Sequence, residues 1–308
     1  MGEQVVRGVV MGGTGGFWRV HLVVYDEEVM APLRGRTKRG EMKLAVGDEV
    51  LVEREIGTEP WTIVKILPRR SALVRRAPGG AQGTRVIAAN IDQVIIVFAM
   101  ADPEPHPRML DRFLVIAELN DIPARIVLNK IDLVSGDFRE RFADDYERAG
   151  YSIHRTSVLT GEGLEALRAT LAGRVSALTG PSGVGKSSLL NAMYPALDLR
   201  VGEISASVRK GRHTTVGASM HALPGGGFVM DTPGLREVGL SGDWNVAELD
   251  RCFPEFRPYR QTCRFADCAH RAEPGCAVRD AVERGDVSAA RYDSYVRLYD
   301  ELASHRAW

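Results

Sequence analysis

The chain has 308 residues, 44% of them hydrophobic, and its 40 Lys and Arg equal its 40 Asp and Glu in number. This length and composition exclude a disordered protein and predict two or three folded domains. Because the charges balance, no global excess indicates a nucleic-acid or membrane partner, and any such partner must be recognised by a local surface.

The N-terminus MGEQVVRGVV lacks the basic start and apolar stretch of a signal peptide. The longest apolar run, Val94 to Ala101, is too short to span a bilayer. We therefore expect a cytoplasmic protein without a membrane partner. In a reducing compartment the four cysteines are poor disulfide candidates, and three of them fall within 14 residues, which suggests a metal.

Residues 1–72 contain short apolar or alternating runs separated by glycine-rich and basic segments. The runs are Val5 to Val10, Trp18 to Val24, Glu49 to Glu53 and Trp61 to Leu67. Five strands in about 70 residues would suit an OB-fold barrel that binds RNA, although the pattern alone leaves an SH3-like barrel open.

Apolar strands alternate with helical stretches from Asp92 onward. This alternation predicts a parallel sheet with helices on both faces, which we assign to residues 73–240. Residues 241–308 are assigned to a C-terminal domain with a Cys/His cluster and two helices, around Ala277 to Arg284 and Ala289 to Ala303. The predicted fold class is multidomain α/β.

The segment GPSGVGKS, Gly180 to Ser187, matches the phosphate-loop pattern G-x-x-x-x-G-K-S between a strand-like and a helix-like stretch. Its glycines let backbone N–H groups surround phosphates at the positive end of a helix. Lys186 is expected to hold the β- and γ-phosphates, and Ser187 to ligate Mg²⁺. The alternative is a plain glycine-rich turn, which would not need a strand before it and a helix after it. The predicted contact residues are Gly180, Pro181, Ser182, Gly183, Val184, Gly185, Lys186, Ser187 and Ser188.

Two downstream elements are expected to complete the magnesium site. Asp231 ends the strand in GGGFVMDTPG, where a carboxylate can reach the metal through water. Thr214 or Thr215 in KGRHTTVG supplies a hydroxyl where GTPases place their first switch, although a Thr pair alone is usually just a loop. We predict Ser187, Thr215 and Asp231 as the Mg²⁺ ligands.

The segment NKID, Asn129 to Asp132, follows the apolar strand ARIVL and predicts a guanine-binding loop, with a charged turn as the alternative. The Asp132 carboxylate can accept two parallel hydrogen bonds from guanine N1–H and its amino group. Adenine lacks this pair of donors, which argues against an ATPase. Asn129 would brace the loop and the stem of Lys130 would cover the base, while Ser157 and Val158 would offer backbone donors to the guanine oxygen.

The guanine motif precedes the phosphate loop, whereas ordinary GTPases have the reverse order. NKID, TSVLTGEG, the phosphate loop, the Thr pair and DTPG form the usual circle of GTPase motifs opened at a different point. Ligands bind at the carboxyl ends of parallel strands, so closeness in space does not require closeness in sequence. The order therefore predicts a circularly permuted GTPase domain.

This order resembles the RsgA (YjeQ) family of small-ribosomal-subunit-dependent GTPases, over nearly the whole chain. Further carriers are LRGR near Gly35, VGDEV at Gly47, ANIDQV at Asn90, FPEF at Phe253 and CRFADCAHRAEPGC. The resemblance implies an OB-fold, a permuted GTPase domain and a zinc-bearing helical domain. It also implies GTP hydrolysis to GDP and phosphate, stimulated by the small subunit during its late maturation.

The implied partners are GTP or GDP and the small subunit with its rRNA, and we expect a monomer. The rival function is an RNA-binding scaffold whose GTP-occupied switch domain hydrolyses weakly. The complete set of phosphate-site residues argues against this rival.

One departure from signalling GTPases concerns the attacking water. Leu235 stands where many of them carry a water-orienting Gln. His213 in GRHTT is the polar candidate for this task, and the alternative is that it contacts RNA or solvent. The predicted catalytic residues are His213, Lys186 and Thr215.

Cys263, Cys268, His270 and Cys276 form the pattern C-x4-C-x-H-x5-C. These ligand types suit a tetrahedral structural Zn²⁺ site with no open position for catalysis. The family resemblance implies the same zinc site. Cys252 lies upstream and is predicted to be a small buried thiol.

Two basic clusters are candidate RNA surfaces. The denser one contains Arg34, Arg36, Lys38, Arg39 and Lys43, and a solvated loop is its alternative. The other contains Arg69, Arg70, Arg75 and Arg76.

Overall fold

The N-terminal region is a five-stranded antiparallel barrel. The computed structural model describes residues 3–35, 43–55, 60–76, 84–199, 219–231 and 245–304. The barrel strands, ordered β3-β2-β1-β4-β5 in the sheet, are β1 (Glu3–Thr14), β2 (Phe17–Leu22), β3 (Glu27–Pro32), β4 (Glu49–Glu55) and β5 (Thr62–Ile66). A parallel bridge between Leu33 and Ile63 joins the end of β3 to β5. The predicted OB-fold is confirmed, because this bridge closes the sheet around an apolar core.

Strand β3 is the barrel strand that the sequence pattern missed. Its sequence EEVMAP begins with two exposed glutamates and ends in proline, and within it only Ala31 is fully buried. A short strand with so little alternation carries almost no periodic signal. Its pairing with β2 places it in the sheet nonetheless.

A hairpin that the sequence also did not reveal follows the barrel. Strands β6 (Ala72–Arg76) and β7 (Thr84–Ala89) pair antiparallel. Ala88 forms a bridge with Val46 of the barrel region, and the Val74 N–H donates to Asn120 Oδ1 at 3.2 Å. The hairpin thus connects the barrel to the central region, and the domain boundary predicted between residues 72 and 73 falls at its start.

The central region is a six-stranded sheet ordered β10-β9-β8-β11-β13-β12. All neighbours are parallel except β12, which runs antiparallel to β13. The strands are β8 (Gln93–Ala99), β9 (Ala124–Asn129), β10 (Ser152–Thr156), β11 (Val175–Thr179), β12 (Ser219–Ala222) and β13 (Phe228–Asp231). The helices are α1 (Pro107–Leu119), α2 (Gly136–Arg148), α3 (Leu164–Leu171) and α4 (Lys186–Met193). The predicted parallel α/β domain is confirmed.

After Gln93, strand β8 is continuously apolar, and its position in the fold explains why. All of its residues are buried, because helices cover both faces of the sheet. Ile96 and Phe98 pack in one core cluster with α1 and α2, whereas Ile95 and Val97 pack in another with α3 and α4. Strand β8 therefore lies between the two helical layers, and the loops at the carboxyl ends of the strands start from this three-layer arrangement.

The C-terminal region, residues 245–304, contains three short 3-10 turns and two helices. The turns are Val246–Cys252, Pro254–Phe256 and Arg260–Thr262, and the helices are α5 (Ala277–Glu283) and α6 (Ala289–Ser304). Both helices were predicted. No helix in the described ranges is long and apolar enough to cross a membrane.

A buried ion network fastens this region to helix α1. Arg291 is 2% exposed and pairs with Asp111 at 2.6 Å and with Glu255 at 2.8 Å. Its guanidinium lies 4.7 Å from the centre of the Phe253 ring. Phe253 and Tyr295 belong to the same core cluster as α1, so the apolar core is continuous across the predicted boundary at residue 241.

Candidate nucleotide site and metal centre

The predicted phosphate loop connects β11 to α4, and its backbone requires glycine at two positions. Gly180 has φ +135°, and a Cβ there would lie 2.0 Å from the Val97 carbonyl oxygen. Gly185 has φ +93°, and its Cβ would lie 2.5 Å from Asn129 Nδ2. A side chain fits at neither position, so the loop's close approach to β8 and to the guanine motif depends on these glycines.

The lysine and serine side chains at the end of the phosphate loop are buried or half-buried. Lys186 is 4% exposed, and its Nζ donates to the carbonyl oxygens of Gly180 at 3.0 Å and Pro181 at 2.7 Å. Ser187 is 6% exposed in the first turn of α4, followed by half-buried Ser188. An ammonium held inside a loop of backbone N–H groups is suited to bind polyphosphate.

One buried amide joins the guanine motif to the phosphate loop. Asn129, at the end of β9, is 1% exposed, and its Nδ2 donates to the Val184 carbonyl oxygen at 2.8 Å. The Thr156 hydroxyl, at the end of β10, donates to Asn129 Oδ1 at 3.1 Å. An amide offers both a donor and an acceptor, so Asn129 can bind both neighbours at once. Thr156 was not assigned a role from sequence, although it directly precedes Ser157.

The remaining predicted base-site residues lie on two adjacent loops. Lys130 has φ +60°, and exposed Asp132 lies in the short turn Ile131–Leu133. Ser157 is buried, its N–H donates to the Glu162 carbonyl oxygen at 3.1 Å, and its hydroxyl accepts from the Thr160 N–H at 3.1 Å.

Because its N–H and its hydroxyl both form hydrogen bonds within the loop, Ser157 stabilises the conformation of that loop. Val158, which follows it, is 38% exposed at the loop surface. We therefore keep the Val158 N–H as the proposed donor to the guanine oxygen, with Ser157 shaping the loop that presents it.

Several predicted residues fall outside the described ranges. These are His213, Thr214, Thr215 and Leu235, and with them the site proposed for water orientation. The backbone of Asp231 ends β13 opposite Leu178 of β11, but its side chain is not among those described. Of the proposed Mg²⁺ ligands, the structure thus describes the side chain of Ser187.

The Cys/His cluster converges as predicted. The ligand atoms of Cys263, Cys268, His270 and Cys276 all lie within 4.8 Å of one another. His270 Nδ1 is 3.5 Å from Cys263 Sγ and 3.4 Å from Cys276 Sγ. Three thiols and one imidazole nitrogen at such separations fit tetrahedral Zn²⁺.

Two acidic residues that the sequence analysis missed support the cluster. His270 Nε2, buried and without a hydrogen bond in the described part of the chain, faces Asp250 Oδ2 at 3.7 Å. A carboxylate in this position orients a ligating imidazole. Glu273 accepts hydrogen bonds from the backbone N–H groups of Ala269 at 2.9 Å and Arg271 at 2.8 Å. Partial burial acts to raise the pKa of Glu273, but backbone hydrogen bonds, the strongest from its own N–H and the others from Arg271, Ala269 and Ala272, hold it at about 2.

The described arginines of both basic clusters form ion pairs with acidic residues. Arg69 binds Asp48, which is fully buried, at 2.7 Å and also donates to the Lys43 carbonyl oxygen at 2.7 Å. Arg70 pairs with Asp92 at 2.8 Å. These two arginines hold the junction together. Arg34 pairs with Glu53 at 2.8 Å, and Lys43 is exposed. The rest of the first cluster, Arg36, Lys38 and Arg39, and the side chains of Arg75 and Arg76 lie outside the described residues.

Comparisons with known proteins find the same arrangement. A model of the RsgA GTPase family matches residues 66–241. The small ribosomal subunit biogenesis GTPase RsgA of Gemmatimonas aurantiaca is 59% identical, over 96% of this chain and 97% of the relative. The protein of the same name from Moorella thermoacetica is 43% identical, over 88% of this chain and 89% of the relative.

Two solved structures match nearly the whole chain. YjeQ from Thermotoga maritima has a TM-score of 0.81 at 35% identity, covering 97% of this chain and 99% of that protein. YloQ, described as a circularly permuted GTPase, has a TM-score of 0.77 at 29% identity, covering 98% of this chain and 96% of that protein. The similarity spans the barrel, the permuted nucleotide domain and the Cys/His region together.

Proposed function

Because the chain belongs to the RsgA GTPase family, we propose that its hydrolysis of GTP assists the late maturation of the small ribosomal subunit. The chain is a GTP hydrolase of this family, and its relatives carry the name small ribosomal subunit biogenesis GTPase. The alternative of a weakly hydrolytic RNA-binding scaffold has no support in these findings.

The proposal rests on the hydrogen bond between the two nucleotide motifs. In sequence NKID precedes the phosphate loop, yet the Asn129 amide donates to the Val184 carbonyl oxygen at 2.8 Å. Both loops therefore stand at the carboxyl edge of one sheet, where a single nucleotide can contact both. Asp132 is proposed to read the guanine edge, and residues Gly180 to Ser188 to hold the phosphates.

The proposed chemistry is attack of water on the γ-phosphate, releasing GDP and phosphate. Lys186 and the N–H groups of the loop stabilise the negative charge on the phosphate oxygens. In this proposal His213 would orient the attacking water, and Thr215 would sense the γ-phosphate. Ser187, Thr215 and Asp231 would hold Mg²⁺, which neutralises phosphate charge when bound.

The Cys/His cluster is proposed to hold a structural Zn²⁺. Its ligands are Cys263, Cys268, His270 and Cys276, which supply four donors and leave no open position. Cys263 follows the turn Arg260–Thr262 and Cys276 directly precedes α5, so the metal would hold these two elements together.

The barrel is proposed to contact rRNA of the small subunit through the basic segment from Arg34 to Lys43. The described ends of this segment are Arg34, which pairs with Glu53 at 2.8 Å, and exposed Lys43. We further propose that the protein acts as a monomer in the cytoplasm, where the small subunit matures.

The test is GTP turnover by the purified protein alone, with small subunits and with large subunits. We expect slow turnover alone, a marked increase with small subunits and no increase with large ones. Lys186→Ala should remove the increase. Equal stimulation by both subunits, or none by either, would contradict the ribosomal part of the proposal.

Binding should follow the nucleotide state. Pull-down of small subunits at a series of salt concentrations, with GTP, GDP or a non-hydrolysable analogue, measures this directly. Salt sensitivity is expected because phosphate contacts release counterions. Retention that does not differ among the nucleotides would argue against a switch.

A further inference from the structure

The segment Ala101–His106, sequence ADPEPH, leaves the carboxyl end of the central strand β8 and leads into α1. Its entry is fixed beside the guanine motif, because the Met100 N–H donates to the Asn129 carbonyl oxygen at 2.8 Å. In sheet order β8 lies between β9, which carries NKID, and β11, which carries the phosphate loop. The segment therefore starts between the two nucleotide-binding loops.

Both loops touch the segment. Lys130 Nζ donates a hydrogen bond to the carbonyl oxygen of Asp102. On the other side, Pro103 Cδ lies 3.6 Å from the position that a Cβ of Gly183 would occupy. The lysine proposed to cover the guanine base is thus anchored outside both nucleotide motifs.

The backbone at Asp102 determines where this acceptor points. Asp102 has φ +44°, in the left-handed region that aspartate, asparagine and glycine tolerate better than other residues. A β-branched residue is strained there, and relief of that strain would turn the carbonyl away. A substitution at residue 102 is therefore expected to affect the hydrogen bond between Lys130 and the carbonyl oxygen of residue 102, although the side chain of that residue does not take part in it.

The far end of the segment is also held. His106 Nδ1 accepts from the Met109 N–H at 3.3 Å and so caps α1. Helix α1 is in turn fastened by the buried pair of Asp111 and Arg291 at 2.6 Å. With both ends anchored, the Asp102 carbonyl keeps its place relative to Lys130.

We propose that Ala101–His106 is a positioning segment of the nucleotide site, in which the Asp102 carbonyl sets the Lys130 ammonium so that the lysine stem lies over the guanine face. This inference rests on the proposed role of Lys130 in base binding. A lysine side chain has many rotamers, and ordering it before the nucleotide arrives removes that cost from binding.

The test measures the dissociation constant of GDP for Asp102→Val, with Asp121→Val as the matched control. Asp121 also has positive φ, +53°, is exposed, and follows the opposite end of α1. Both variants place a strained β-branched residue in left-handed backbone. We expect Asp102→Val to weaken GDP binding about tenfold, the effect of losing one charge-assisted hydrogen bond, whereas Asp121→Val keeps the parental affinity. Loss of the Asp102 carboxylate alone would favour an anionic ligand, so charge does not predict this weakening.

A double-variant cycle separates positioning from general damage. Lys130→Met removes the ammonium and keeps an apolar stem, and it should weaken GDP binding by a similar factor. Adding Asp102→Val to Lys130→Met should then cause little further loss. Unfolding temperatures are measured in parallel, and Asp102→Ala replaces Asp102→Val in the cycle if the valine variant does not fold.

Equal GDP affinity of the Asp102 and Asp121 variants would overturn the inference, as would fully additive losses in the cycle. Failure of the unmodified chain to bind GDP would instead contradict the proposed function. The two failures are therefore distinguished by the parental protein.

Discussion

Thr156→Val tests whether the buried amide of Asn129 couples the two nucleotide loops. The substitution keeps the shape of the side chain and removes the hydroxyl that donates to Asn129 Oδ1 at 3.1 Å. Both residues are at most 1% exposed, so water cannot replace the lost donor without rearrangement. Asn129 would then be free to turn its amide and release the Val184 carbonyl oxygen.

The magnitude follows from leaving one buried acceptor unpaired. Such a loss costs about 1–3 kcal/mol. If it falls on the nucleotide-bound conformation, GTP and GDP affinity should decrease by roughly 5- to 150-fold. If it falls on the whole fold, the free energy of unfolding should decrease by the same amount instead. The expected outcome is weaker nucleotide binding with a smaller change in unfolding, because Asn129 stands at the site and not in the sheet interior.

Thr179→Val is the matched control. Thr179 ends the neighbouring strand β11, is 2% exposed, and its hydroxyl has no hydrogen-bond partner among the described residues. The same chemical change there removes no bond and should leave the nucleotide dissociation constant near that of the parent. Nucleotide affinity is measured by fluorescence titration and unfolding by urea denaturation. Identical affinities for the two variants would refute the role given to the Thr156 hydroxyl.

Three further outcomes are expected. Asp132→Asn should shift the preference from GTP toward XTP in competition binding, because an amide cannot accept both guanine donors; an unchanged preference would exclude Asp132 as the guanine reader. His213→Ala should leave the GTP dissociation constant nearly unchanged and lower small-subunit-stimulated turnover by about 10²- to 10⁴-fold if this residue orients the water; undiminished stimulation would refute that role. Burial raises the pKa of the fully buried Cys252 thiol to about 12. Iodoacetamide at pH 8 should therefore label the three clustered cysteines after treatment with a chelator that removes the proposed zinc, and Cys252 only after full denaturation. Labelling of Cys252 in the folded protein, read by mass spectrometry, would contradict the structure.

The sequence by itself predicted the three-part architecture and named candidate residues for the nucleotide and metal sites. Phosphate loops, guanine motifs and Cys/His clusters are short and tightly spaced, so they can be recognised in the sequence alone. The apolar run that begins at Val94 in β8 likewise indicated a strand covered on both faces. Strand β3 and the β6–β7 hairpin were not predicted, because short strands with weak alternation give little periodic signal.

Tertiary structure alone decided which groups meet. The bonds of Thr156 to Asn129, of Asp102 to Lys130 and of Arg291 to Asp111 each join segments far apart along the chain. Nothing in local propensity specifies such pairs, because they arise from strand order and from the packing of α1 beneath the C-terminal region. The order of motifs in the sequence pointed to a permuted domain, but only the parallel sheet brings both motifs to one edge, since its strands all end on the same side.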